Sequence, residues 1–311
     1  MMNANKLSST FQNLSTQSNG NGNAPASSLF PNNLPFQATS DASQWSIANE
    51  HYKQLRDAVV ELLDLDLNHY RTQQMERRLT TLLERRHAAS WKAYIENLRR
   101  DRGELEYFQE FITINVSSFY RDAEKWDFLR QKLLPDLLKQ RAPQGLSGWS
   151  VGCSIGAEAY TLAMLLSEQA STRRHTIWAT DIDARVLSRA QAGGPYFQNE
   201  LRELPADLMQ TYMSSVGNQL FSVRPNLKTM TEFGRFNLLK DETTRKFDLV
   251  ICRNVVIYFT AEMKPHVYRR LARSVKPGGI LFIGSTETIA NYQQLHFEYI
   301  APSFYRYAGP E

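Results

Sequence analysis

From Trp149 onward the chain alternates strand-like with helix-like segments, and this alternation limits the possible folds more than any other feature. WSVGC is an apolar strand, AEAYTLAMLLSEQ a helix, HTIWATDID a strand and DARVLSRAQ a helix. TEFGRFNLL returns to the sheet, and FDLVICRN is an apolar strand ending in polar residues. AEMKPHVYRRLARSV is a helix that accommodates Pro265 in its first turn, where a missing N–H costs little. KPGG is the turn into ILFIGST, and FEYIAPSFYRYA closes the sheet as a hairpin. Strands separated by helices imply a largely parallel sheet, an α/β fold. From Gly193 to about Pro225 the alternation is interrupted by turn residues, a helical piece (ELPADLMQTYM) and a short strand (LFSVR).

Upstream the pattern is helical. In YKQLRDAVVELLDL the apolar residues Leu55, Val59, Leu62 and Leu63 recur at spacings of three and four. QMERRLTTLLERR repeats this with Met75, Leu79, Leu82 and Leu83 and leaves arginines on the other side. Ser90 is placed to cap the helix of SWKAYIENLRR. A polar break at Asn115–Ser118 separates two further helices, and RAPQGLSG marks a boundary. Residues 1–44 are rich in Ser, Asn and Gln, with Lys6 and Asp41 as their only charges, and predict a disordered tail. The expected division is a tail over 1–44, a helical domain with linker over 45–141, and a sheet domain over 142–311 with an insertion at 193–225.

The two cysteines, Cys153 and Cys252, belong to no CxxC or Cys/His cluster, which argues against a metal site or a disulfide framework. No apolar run approaches a membrane span, and the amino terminus lacks a secretory pattern, so a reduced, cytoplasmic setting is expected. The net charge of +4 is unevenly placed. Arg71, Arg77, Arg78, Arg85, Arg86, Lys92, Arg99, Arg100 and Arg102 face only Glu76, Glu84, Glu96 and Asp101 in the same stretch. Such a local excess suits an acidic partner, although a solvated helix face gives the same pattern.

Open α/β sheets bind ligands beyond the carboxyl ends of their strands. After the first strand the spacing is GxxxG (Gly152, Gly156), neither a dinucleotide fingerprint nor a P-loop. Glu158 opens the next helix, where it suits the helix dipole and would repel a pyrophosphate. Asp181 ends the second strand, where a carboxylate can grip ribose hydroxyls. Asn237 and Asn254 lie at or beyond later strand ends. Taken singly, Glu158 reads equally as a first-turn acid, and Asp181 or Asp183 as a helix cap. Together at one sheet edge they suit a ribose-bearing, positively charged cofactor without phosphate: S-adenosylmethionine.

The motifs NVSSFYRD, WSVGCSIGAEAY, ATDID, FNLL and CRNVVIYF followed by KPGG resemble the CheR family, chemotaxis methyltransferases that esterify receptor glutamates. The resemblance covers about residues 46–308. It implies a Rossmann-like class I S-adenosylmethionine-dependent methyltransferase domain with a small inserted antiparallel β-subdomain, preceded by an all-α N-terminal domain. It further implies cofactor contacts from Asn115, Ser117, Arg121, Glu158, Asp181, Asn237, Leu238, Arg253 and Asn254. Arg121 and Tyr258 would stand beside the transferred methyl group as catalytic residues, and the helix bearing Arg77 and Arg78 would meet the receptor's methylation helix. Three departures stand out. Ser117 replaces the usual Thr, GAEAY replaces GEEPY so that Ala157 takes the place of an acid, and the loop around SSVGNQL is short. The last argues against tethering to a receptor's C-terminal peptide.

A glutamate carboxylate is ionised at neutral pH and needs no general base to attack a sulfonium methyl, which agrees with the lack of a Ser/His/Asp or Cys/His constellation. The resemblance implies protein-glutamate O-methylation as the activity, with S-adenosylhomocysteine as product and chemoreceptor arrays as the place of work. Neither nucleic acid nor membrane insertion is expected. A nucleic-acid methyltransferase and a non-catalytic adaptor that binds S-adenosylmethionine are the alternatives.

Overall fold

A computed structural model describes residues 49–113 and 115–309. The polar tail expected over 1–44 and the first residues of the helical pattern lie outside the described residues. Helices α1 (Asn49–Leu63), α2 (Thr72–Arg85), α3 (Trp91–Arg100) and α4 (Arg102–Thr113) come first. Their apolar stripes share one buried cluster that includes Leu55, Val59, Leu79, Leu82, Leu98 and Phe108, while Leu62 is only partly buried. Burying a leucine contributes about 1.5–3 kcal/mol, whereas an exposed ion pair contributes about 0–1 kcal/mol. The leucine stripe therefore sets how α2 lies, and its arginines follow. Ser90 Oγ accepts the Ala93 N–H at 3.2 Å and caps α3.

A longer helical stretch leads to the sheet. It consists of α5 (Ala123–Phe128), a π-helical turn (Leu129–Leu133) and α6 (Leu134–Gln140). The wide turn immediately precedes the segment holding Pro135, which has no N–H to donate.

The main sheet is built from β1 (Ser147–Val151) and β2 (Thr176–Asp181), joined by α7 (Ala157–Ala170), with α8 (Ala184–Ala192) following β2. The inserted segment then forms β3 (Tyr196–Phe197), α9 (Ala206–Tyr212), β4 (Met213–Gly217), β5 (Leu220–Val223) and α10 (Pro225–Lys228). The chain returns through β6 (Thr231–Arg235), β7 (Phe247–Cys252), α11 (Met263–Arg273), β8 (Val275–Ile283), β9 (Phe297–Ala301) and β10 (Phe304–Tyr307). Sheet order is β6-β2-β1-β7-β8-β10-β9, parallel from β6 to β8 and antiparallel at β10 and β9. This is the Rossmann-like arrangement the sequence implied. A separate antiparallel sheet, β3-β5-β4, forms within the insertion. Asn218 and Gln219, both left-handed, make the tight β4–β5 turn.

Burial explains the sequence patterns. All six residues of β7 are buried, as expected of a central parallel strand covered on both faces. Helix α7 buries Ala157 and the whole run from Ala159 to Leu166, so it is apolar all round. The KPGG segment differs from expectation. Strand β8 already begins at Val275, and Lys276–Gly279 bulge outward between the Phe247–Val275 and Leu249–Ile280 pairs. A Cβ on Gly279 would lie 2.8 Å from the Lys276 carbonyl and 2.9 Å from that of Asp248, so only glycine fits the bulge.

The strand order reverses at β1, which lies between β2 and β7. That is where an open sheet leaves a crevice beyond its strand ends.

Candidate active site

The turn after β1 is shaped by Gly152 (φ +69°), Ser154 (φ +49°) and Gly156 (φ +82°). A Cβ on Gly152 would lie 2.5 Å from a methyl of Val255, and one on Gly156 would lie 2.9 Å from the Ala190 Cβ. The glycines therefore serve both the left-handed turn and its close approach to the turn after β7 and to α8. The Ser154 N–H donates to Asp181 Oδ2 at 2.8 Å, and the Asp183 N–H to Asp181 Oδ1 at 3.0 Å. These bonds fix the Asp181 carboxylate at the end of β2. Burial pushes it up to about 6, against the pull of the N–H donors. The Ser154 hydroxyl is buried and has no partner among the described residues.

Glu158, in the first turn of α7, accepts the Ser150 hydroxyl at 2.6 Å, and its other oxygen lies 3.9 Å from Arg253 Nη1. Burial pushes this carboxyl up to about 7, and Arg253 pulls it down. The Arg253 guanidinium in turn donates from Nη2 to Asp122 Oδ2 (2.6 Å) and to the Arg121 carbonyl (2.8 Å). It lies 4.7 Å from the ring centre of Phe282 and 5.7 Å from that of Trp126. Asp122 is left-handed (φ +61°) and also accepts the Ser285 hydroxyl at 2.9 Å.

One cavity of about 570 Å³ collects these groups. It is lined by each residue singled out from the sequence: Asn115, Ser117, Arg121, Glu158, Asp181, Asn237, Leu238, Arg253, Asn254, Tyr258, Arg77 and Arg78. Their local commitments differ. Asn115 Nδ2 donates to Asp183 at 2.8 Å. Asn237 Oδ1 accepts the Leu239 N–H at 3.0 Å and its Nδ2 donates to the Asp64 carbonyl at 3.3 Å, so this side chain shapes the turn that presents Leu238. Arg121 Nη1 reaches the Val116 carbonyl at 3.3 Å. Burial pushes the Tyr258 phenol up, while Arg78 and Arg121 pull it down, so it remains a hydrogen-bond donor at neutral pH. Arg77 is exposed, whereas Arg78 is half-buried, with its guanidinium 4.9 Å from the ring centre of Phe111.

The helical part closes the cavity from the other side. Tyr70 bridges Phe259 with its ring 5.3 Å away edge-on, the Arg71 N–H donates to the Tyr258 carbonyl at 3.0 Å, and the Thr260 N–H donates to the His69 carbonyl at 3.0 Å. Cys153 and Cys252 are buried and free, and burial raises both thiols well above their ordinary value. Among the described residues no cluster of three or more His, Cys, Asp or Glu is placed to hold a metal ion.

Sequence reasoning missed Ser150, Ser154, Asp122, Asp183 as a hub, Tyr70 and Glu287.

The CheR methyltransferase SAM-binding domain matches residues 115–304, and the CheR methyltransferase all-alpha domain matches residues 50–113. This chain belongs to the CheR methyltransferase family. A chemotaxis protein methyltransferase of Listeria monocytogenes is 38% identical over 229 residues, covering 74% of this chain and 86% of the relative. Chemotaxis protein methyltransferase 1 of Pseudomonas aeruginosa is 32% identical, covering 79% of this chain and 93% of the relative. The Escherichia coli chemotaxis protein methyltransferase is 28% identical, covering 80% and 88%.

The chain is thus an S-adenosylmethionine-dependent methyltransferase, and its cavity fits that cofactor. The buried Ser154 hydroxyl lacks a partner among the described residues, and burial raises the Asp181 and Glu158 carboxyls to about 6 and about 7, a penalty on their charged forms that a polar or cationic group would relieve. Phe236, Leu238 and Ile182 supply apolar wall. Among the described residues no helix is long and apolar enough to cross a membrane.

Proposed function

We propose that this CheR chain methylates glutamate side chains of chemoreceptors in the cytoplasm, at receptor arrays. The observation that carries the reading is the convergence of acidic, amide and arginine groups from both parts of the chain on one cavity. The names of its relatives, chemotaxis protein methyltransferases, support the receptor as substrate.

When bound, S-adenosylmethionine supplies an electrophilic methyl whose transfer to a carboxylate oxygen leaves S-adenosylhomocysteine. In this reading Glu158 pairs with the cofactor's ammonium and Asp181 holds the ribose hydroxyls. Asn237 presents Leu238 to the adenine, while Asn115, Ser117, Arg253 and Asn254 complete the lining. Arg121 orients the acceptor carboxylate, and the Tyr258 hydroxyl donates to it. No base is required, because the acceptor arrives ionised. Charge is neutralised as the methyl passes, so the residues contribute alignment and exclusion of water. Arg77 and Arg78 attract the acidic receptor helix and speed encounter.

The test is transfer of radiolabelled methyl groups to a glutamate-bearing receptor fragment, with base-labile, volatile product as the mark of an ester. A base-stable product, or no transfer by chain that binds S-adenosylhomocysteine, refutes the assignment.

A further inference from the structure

The turn after β7 runs from Arg253 to Tyr258 and carries five residues of the cavity wall within six positions. Within it Asn254 is left-handed (φ +57°), a conformation that asparagine visits more readily than other non-glycine residues. Glu287, just beyond β8, anchors the turn from beneath. Its Oε2 accepts the Asn254 N–H at 3.2 Å and the Gly284 N–H at 2.7 Å, and its Oε1 accepts the Ile257 N–H at 3.1 Å.

Glu287 is only 6% exposed and makes no ion pair among the described residues. A buried carboxylate without a cation is costly, so its three amide donors are what make the site tenable. Its neighbour is adapted to it. A Cβ on Gly284 would lie 2.7 Å from Glu287 Oε2 and 2.9 Å from the Asn254 nitrogen. Glu287 does not line the cavity, so it reaches the transfer through the turn it holds and through its charge, which raises the Tyr258 phenol and the Glu158 carboxyl.

We propose that Glu287 is a positioning residue that locks the Arg253–Tyr258 turn, and through it the Tyr258 hydroxyl, against the acceptor. This rests on the reading of Tyr258 as an acceptor-facing group. The carboxylate holds the turn from below while the His69–Arg71 backbone holds it from above. Losing the lower anchor frees the amides of residues 254 and 257 and lets the phenol drift. A drift on the ångström scale costs about 100-fold in rate.

The test compares full-length wild type with Glu287→Gln, which keeps size but sets an amide donor against N–H donors, and with Glu287→Asp, which keeps the carboxylate but draws it back from the turn amides by one methylene. Expected are a fall in kcat of about 10- to 100-fold, a smaller loss of affinity for S-adenosylhomocysteine because Glu158, Asp181 and Ser154 stay in place while Asn254 shifts, and faster amide hydrogen exchange at Asn254 and Ile257. If Glu287→Gln yields no folded protein, Glu287→Asp carries the same comparison. In a Tyr258→Phe background either substitution should cost little more, since the two act as a unit. Unchanged exchange at residues 254 and 257, or losses that multiply with Tyr258→Phe, overturn the proposal. A wild type that transfers no methyl refutes the substrate assignment instead, and the exchange measurement still decides whether Glu287 anchors the turn.

Discussion

Arg253 joins two acids that are distant in sequence: its Nη2 lies 2.6 Å from Asp122 Oδ2 and its Nη1 lies 3.9 Å from Glu158 Oε2. The Arg253 side chain is 4% exposed and Glu158 13%, whereas Asp122 is 35% exposed, so removal of the guanidinium leaves Glu158 as the carboxyl without a cation in a poorly solvated place. Arg253→Ala should therefore lose about 1–3 kcal/mol of unfolding free energy. Arg253→Lys should recover only part, since an ammonium cannot span both acids with a planar fork or lie flat over Phe282. Denaturant titration measures both variants, and an alanine variant as stable as wild type contradicts the bridging role.

Glu158 gives a pH dependence of definite sign. Burial raises its carboxyl from the ordinary 4.5 to about 7, so the folded chain holds this proton more tightly than the unfolded chain. The contribution of Glu158 to stability is accordingly full at low pH and declines as pH climbs from 4.5 to about 7. Pairing with a ligand ammonium needs the ionised form, so affinity for S-adenosylhomocysteine should rise over the same window and level off above it. Below that level binding should release a proton, seen as calorimetric heats that depend on the ionisation enthalpy of the buffer. Glu158→Gln should abolish the release. Identical heats in every buffer for wild type would remove Glu158 from the ammonium site.

The fold was readable because period and length are local signals. The leucine stripe of α2, the uninterrupted apolar run of β7 and the glycine turn after β1 each declare their environment within a dozen residues. KPGG misled for the same reason, because glycines that look like a turn are here a bulge set by the carbonyl of Asp248 on the neighbouring strand. Site residues at strand ends, such as Asp181, were legible from their place in the pattern. Asp122 and Glu287 were not, since their significance depends on amides and a guanidinium that are distant in sequence. Nor does sequence reveal that the Asn237 carboxamide is occupied by Leu239 and Asp64.

Arg77 and Arg78 form a pair in the sequence but differ in the structure. Arg77 is exposed, while Arg78 lies over Phe111, donates to the Phe111 carbonyl and has its pKa lowered by burial. Arg77→Glu should leave stability within about 0.5 kcal/mol of wild type. It should slow methylation of a receptor fragment most strongly at low salt, where attraction between exposed charges is least screened. Arg78→Ala should lower both stability and turnover, because it removes packing as well as a cation beside Tyr258. Thermal unfolding together with initial rates across a salt series separates the two. Equal salt sensitivity in wild type and Arg77→Glu would exclude Arg77 from docking.

Tyr258 tests the chemistry most directly. Its phenol is kept protonated by burial, and its backbone is held by Arg71 above and by the turn anchored on Glu287 below. Phenylalanine at this position keeps the ring and its packing and removes only the hydroxyl. If that hydroxyl donates to the reacting carboxylate, Tyr258→Phe should lower kcat by about 10-fold or more, equivalent to about 1.4 kcal/mol of lost transition-state stabilisation. Calorimetric affinity for S-adenosylhomocysteine should be nearly unchanged, because the product complex contains no acceptor carboxylate. A parallel loss of product affinity would instead assign Tyr258 to cofactor binding, and unchanged turnover would leave it with no part in the transfer.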